Sequence, residues 1–196
     1  MLLQFVFIKS MKPEVEQESI FPMIGHGTKG SWEYVAKLLA NGKDWREVRR
    51  DYLENWLPAH PYIIDYKKIF RTEVLDIFLL LKQNNKKIGL ASSTRQGKIE
   101  EILSILEIKN YFDVIVSGET VPKSKPDPSV YLETAKRLGV VPNACMVMED
   151  STVGITAAHR AGMTVVALID NRFNFDRSLA DYEIKNVAEF SKFICA

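Results

Sequence analysis

Glu149 and Asp150 stand side by side where the apolar run of "CMVMEDSTVG" (145–154) stops. A short apolar run closed by a turn signal reads as a strand buried on both faces, so acids at its end lie close to a low-dielectric interior. Two like charges about 4 Å apart repel by roughly 4 kcal/mol at an effective dielectric near 20, and each also loses hydration. A divalent cation would relieve both costs. The same residues have a plainer reading: Ser and Asp favour the N-cap, and Asp150 or Ser151 could simply accept backbone N–H groups of the next helix. What else reaches the same place decides between the two.

In open parallel sheets, ligands collect at the carboxyl ends of the strands, where loops and helix N-termini offer free N–H groups. The strand predicted at "KIGLA" (87–91) is followed by Ser92, Ser93 and Thr94, and the strand at "DVIVS" (113–117) by Gly118 and then "KSKPDP" with Lys125. Taken singly, the hydroxyls cap a helix, Lys125 is a solvated loop lysine and the acids cap. Taken together they form a complete set for phosphate and Mg²⁺: a hydroxyl and an ammonium for the anion, two carboxylates for the cation.

The elements that would position this set alternate. "TEVLDIFLLLKQ" (72–83) and "GKIEEILSILEI" (97–108) carry helical apolar faces, the latter at Ile99, Ile102, Leu103 and Leu106. "PSVYLETAKRL" (128–138) opens on Asp127 and Pro128 and stops at Gly139, the cap signals of a helix. "CMVM" follows as a strand, "TVGITAAHRA" as a helix, "TVVAL" (164–168) as a strand and "NVAEFSKFI" (186–194) as a last helix. Helices alternating with strands predict stacked βαβ units and a parallel sheet. Residues 13–70 carry helical signals alone, "SWEYVAKLL" (31–39) and "DWREVRRDYLENWL" (44–57), and predict a small helical module with Trp32, Trp45, Tyr52 and Trp56 in its core.

Composition narrows the function. With 196 residues, 46% of them apolar, the chain can build one main core and a small second domain. A formal net charge of +1, its basic residues dispersed, offers no footprint for nucleic acid or an anionic membrane. Cys145, in a predicted strand, and Cys195 lack metal-like spacing, so a reducing, cytoplasmic protein is expected. "MLLQFVFIKSMK" has no basic residue ahead of its apolar run and reads as a poor signal peptide, and no run reaches membrane-spanning length.

Three stretches in order, "IGLASST", "KSKPDPSVYLETAKRLGV" and "CMVMEDSTVGITAAHRAGM", resemble the haloacid dehalogenase superfamily, in the branch of β-phosphoglucomutase and small sugar-phosphate phosphatases. The resemblance implies a three-layer α/β/α, Rossmann-like parallel-sheet core over residues 1–12 and 71–196, with a helical cap domain over 13–70. It implies a Mg²⁺-dependent phosphatase or phosphomutase working through an aspartyl phosphate on a small phosphorylated metabolite, a sugar phosphate above all, and a monomer. Ser92 matches the hydroxyl that binds the transferring phosphoryl group, with Ser93 beside it. Lys125 matches the lysine that neutralises phosphate and nucleophile, and Glu149 and Asp150 match the Mg²⁺ ligands. More loosely, Thr28 and Lys29 of "GHGTKG" match the substrate-selecting loop of the cap, where His26 reads as a loop residue.

The family's nucleophile is an Asp ending the first strand, in an Asp-x-Asp-Gly-Thr/Val segment, and none is found. The first acid is Glu14, and the one earlier apolar run, "LLQFVFI" (2–8), ends on Lys9, Ser10 and Met11. Two accounts compete. The first strand lies upstream of a truncated chain, or residues 2–8 fill its place between the strands at 87–91 and 145–148 without the chemistry. The connection from nucleophile to cap is longer in the family than from Lys9 to Gly25, which favours truncation. A catalytically incomplete phosphatase is the leading reading. The alternative is a non-catalytic member that binds phosphate or a protein partner, and a receiver-type phospho-acceptor domain is disfavoured because Asp113 begins a strand.

Overall fold

The computed structural model describes residues 2–24, 26–61, 64–173 and 175–194. Gly25 and Cys195 therefore lie outside the described residues. The chain divides into two compact units, Met1–Ile64 and Asp65–Ala196.

The first unit is helical, with α1 (Leu2–Met11), α2 (Thr28–Leu39), α3 (Trp45–Asp51), a π turn over Tyr52–Trp56 and a short α4 (Leu57–Ala59). Asp44 opens α3 with a reciprocal capping box to Glu47. The aromatics form its core as expected: Phe7 meets Trp32, Tyr52 and Trp56 edge-on at 6.3, 5.2 and 5.7 Å between ring centroids.

Residues 2–8 are not a strand. They lie in α1, where Phe7 and Ile8 are buried in that aromatic cluster and the Lys12 ammonium donates to the Leu38 carbonyl at 3.0 Å. A helix satisfies its backbone N–H and C=O groups within the segment, so Phe7 and Ile8 reach the cluster without a sheet neighbour. The segment expected to complete the sheet thus belongs to the helical unit, which spans 1–64 instead of 13–70.

The second unit runs α5 (Tyr66–Ile69), α6 (Val74–Gln83), β1 (Gly89–Ser92), α7 (Gln96–Ile105), β2 (Val114–Ser117), α8 (Ser129–Leu138), β3 (Met146–Glu149), α9 (Thr152–Arg160), β4 (Thr164–Leu168), β5 (Tyr182–Ile184) and a final 3-10 stretch, Val187–Phe193. All pairings are parallel, as predicted. β5 is too short and polar to show as a strand in sequence. The strands form two sheets, β1-β2 and β3-β4-β5, where one was expected.

Shared packing makes the two sheets halves of one layer. One apolar cluster joins Ala91 of β1 and Val147 of β3 to α8 and α9 residues. On the other face, α6 sends Leu75 into the cluster of Leu90 and Val74 into that of Met148. No described strand lies between β1 and β3, so each has one unpaired edge. Their inner residues are accordingly only half-buried, whereas Val165–Leu168 of β4, paired on both sides, are buried. No described helix is long and apolar enough to cross a membrane.

Because β4 bonds on both edges and β1 and β3 on one, hydrogen–deuterium exchange is expected to separate them. The edge amides of β1 and β3 exchange well before those of Val165–Leu168. Equal protection in the three strands would mean that the edges are covered.

Candidate active site

β1 ends on Ser92 and β3 on Glu149, each one residue later than the sequence pattern predicts, so both side chains are held by strand backbone. The Ser92 hydroxyl accepts the Thr94 N–H at 3.1 Å. Ser117, ending β2, donates to the Thr94 carbonyl at 2.7 Å and is fully buried. These contacts fix the turn that carries Ser92, Ser93 and Thr94.

Lys125 is no solvated loop lysine. At 7% exposure its ammonium donates to Glu149 Oε1 in a short ion pair, to the Tyr131 hydroxyl at 2.9 Å and toward the Ala91 carbonyl at 3.4 Å. Tyr131 in turn donates to Glu149 Oε1. Glu149 Oε2 accepts the Ser151 hydroxyl at 3.1 Å and the Asp150 N–H at 3.2 Å. Glu149 lies against Gly154 so closely that a Cβ there would stand 2.1 Å from its carboxyl carbon, which is why α9 needs glycine at that turn.

The capping question is settled by Ser151. Its hydroxyl accepts the Gly154 N–H at 3.2 Å, so Ser151 caps α9 and the Asp150 carboxylate has no such task. Burial pushes Glu149 up, but Lys125, Tyr131 and Ser151 outweigh it and hold the carboxyl below the usual range. Asp150 goes the other way. Although it lies at the surface, desolvation by its neighbours, and then the Glu149 charge, raise it.

Sequence reasoning missed several participants. Arg71, ahead of α6, and Arg172, after β4, both pair with Asp170, which Arg172 chiefly holds at about 2. Arg71 also eases the Asp150 charge. No local motif marks these three. Tyr131 had a visible signal, a polar-tipped aromatic on the buried face of α8 six residues after Lys125.

Thr28 and Lys29 form the first turn of α2 in the helical unit, with Lys29 in an exposed 3.6 Å pair with Glu33, and His26 lies beside Gly30. The structure thus brings Lys125, Glu149 and Asp150 together at the carboxyl ends of the half-sheets, with Ser92 directly following Ala91. It leaves Thr28 and Lys29 in the other unit.

Mg²⁺ commonly takes one or two carboxylates and completes its shell with water and phosphate oxygens. Asp150 fits such a role, whereas Glu149 Oε2 already accepts from Ser151 and Asp150 at 3.1 and 3.2 Å and would give up one of these partners to join it. No described group of three His, Cys, Asp or Glu residues could hold a metal.

A family model described as haloacid dehalogenase-like hydrolase matches residues 2–168. The chain belongs to that family. It is 30% identical over 145 residues to hexitol phosphatase B of Escherichia coli K12, covering 73% of this chain and 65% of that protein. Over 101 residues it is 39% identical to the phosphorylated carbohydrates phosphatase of Thermotoga maritima, covering 52% of this chain and 47% of the relative. The chain thus spans about half to two-thirds of the length of these curated relatives. In fold it matches the crystal structure of β-phosphoglucomutase from Clostridium difficile with a TM-score of 0.75 at 18% identity, covering 100% of this chain and 92% of the other. The Rossmann-like α/β architecture expected of the resemblance is therefore present.

Two outcomes follow from the charge arrangement. Lys125→Met leaves the buried Glu149 carboxylate without its cation and is expected to cost about 3–5 kcal/mol in denaturant unfolding, with much of that regained in Lys125→Met/Glu149→Gln. Asp150→Asn is expected to raise stability at neutral pH. The folded Asp150 pKa is raised, so its ionised form opposes folding above that value; the gain fades as pH falls and is gone below the unfolded pKa of about 3.9. Melting curves of both chains across pH 3–8 read it.

Proposed function

We propose that this chain carries the phosphate-binding and Mg²⁺-binding half of a haloacid dehalogenase-type phosphatase or phosphomutase acting on a small phosphorylated metabolite, a sugar phosphate above all. The observation that carries the reading is the convergence of Lys125, Glu149 and Asp150 at the strand ends, with the Lys125 ammonium facing the carbonyl of Ala91, the residue before Ser92. The names of the two curated relatives, both sugar or sugar-alcohol phosphatases, support the substrate class.

Ser92 offers its hydroxyl proton to a phosphoryl oxygen, since its oxygen is already engaged as an acceptor for Thr94. Lys125 donates beside it from a buried position, where charge is screened little and a hydrogen bond to an anion is strong. Asp150 and Glu149 Oε2 would hold Mg²⁺, which supplies positive charge against the phosphate. With two protein carboxylates and the rest water, binding of the cation is weak. Thr28 and Lys29 are assigned to substrate selection, on their match to the cap motif.

Among the described residues no Asp ends a strand beside Lys125, so the displacement through an acyl phosphate lacks its nucleophile. The remaining groups orient an ester and stabilise charge. This same feature favours a second reading, a non-catalytic member that binds phosphate.

With Mg²⁺ and an aryl phosphate, the 196-residue chain is expected to turn over near background and to form no covalent phosphoprotein. An Asp-x-Asp-Gly-Thr strand fused ahead of the helical unit should restore turnover, and Lys125→Met in the fused chain should abolish it. Normal turnover by the unmodified chain, with a hydroxylamine-sensitive phosphoprotein, would show that a nucleophile is present. No binding of phosphate by either chain would sink both readings.

A further inference from the structure

We propose that Tyr131 is a positioning residue for Lys125: its hydroxyl, shared between the ammonium and Glu149, aims the third Lys125 N–H along the end of β1, where an oxyanion on Ser92 would stand. The direction of aim rests on the phosphate-site reading above. The hydrogen bonding itself does not.

A lysine ammonium is a point charge on a flexible stem with three rotatable donors. One ion pair would leave it free to turn about that bond. Here two acceptors on different elements hold it, Glu149 Oε1 at the end of β3 and the Tyr131 hydroxyl on α8. Two fixed acceptors leave one direction for the third N–H. That donor faces the Ala91 carbonyl at 3.4 Å, beyond the 2.7–3.2 Å of a well-formed N–H···O bond. It is the one donor that can pass to a ligand while the bonds to both Glu149 and Tyr131 stay intact. Ala91 directly precedes Ser92 in β1, so the transfer needs only a small shift.

Tyr131 is suited to the task because it cannot drift. It is 4% exposed and packs with Val130, Ala135 and Ile155. Its hydroxyl accepts from Lys125 and donates to Glu149, so it also keeps the carboxylate turned toward the ammonium. The ammonium stands 4.6 Å from the ring centroid as well. Phenylalanine would preserve this ring contact and the packing, which makes Tyr131→Phe a deletion of the hydroxyl alone.

The test is trace acylation of the folded 196-residue chain with acetic anhydride, quantified lysine by lysine by mass spectrometry, with exposed Lys123 as the reference. Loss of one hydrogen bond to a charged group corresponds to about a tenfold effect. Lys125 in Tyr131→Phe is therefore expected to label about tenfold faster relative to Lys123, with the other lysines unchanged. Inorganic phosphate is expected to protect Lys125 in the wild-type chain and to bind the variant about tenfold more weakly. A Tyr131 that only fills the core would move neither reading. Lys125 labelling within about twofold of wild type in Tyr131→Phe overturns the proposal. If the variant melts early, Tyr131→Met serves as the second apolar replacement, under the same criterion. Faster labelling without protection of the wild type by phosphate would uphold the anchoring by Tyr131 and defeat the phosphate-site reading.

Discussion

The buried ion pair of Lys125 with Glu149 is the contact on which the strand-end architecture depends. Removing an ammonium and a carboxylate from water costs several kcal/mol per ion, and their attraction offsets this only when the remaining donors and acceptors are matched. Here they are. Lys125 gives two donors to Tyr131 and Glu149 and turns the third toward the Ala91 carbonyl at 3.4 Å, and Glu149 accepts two hydrogen bonds on each oxygen. The partners come from β1, α8, β3 and the cap of α9, so a single charge pair draws one end of both half-sheets together.

That arrangement separates two carboxylates adjacent in sequence. Glu149 is surrounded by donors and held ionised, while Asp150, released from capping by Ser151, faces the surface with its charge opposed by Glu149. Groups whose environments drive their pKa values apart are suited to different tasks. Glu149 organises the lysine, and Asp150 keeps its oxygens for a ligand. Gly154 makes the division possible, since any side chain there would displace the Glu149 carboxylate from the helix.

Much of this was legible in the sequence because local rules and global fold agree along most of the second unit. The helix at 129–138 is marked by proline before it and a left-handed Gly139 after it, and the strands at β1 to β4 by apolar runs. Three features were not legible. Residues 2–8 have the composition of a strand, and only tertiary packing against Trp32, Tyr52 and Trp56 makes them helix. The closing of the Lys125 network by Tyr131 depends on the rotation of α8 over β1, which periodicity does not encode. The pairing of Arg71 with Asp170 joins residues 99 positions apart, and a contact of that range carries no spacing signature.

The seam between β1 and β3 also divides local contacts from long-range ones. The β1-β2 half closes over residues 89–117 and the β3-β4-β5 half over 146–184, so each ladder forms between segments near one another in sequence. Contacts of that kind form early, because little loop entropy is lost in making them. Lys125 lies in the chain between the two halves, and its burial requires both. Each ladder is therefore local, whereas the burial of Lys125 draws on acceptors from both halves at once.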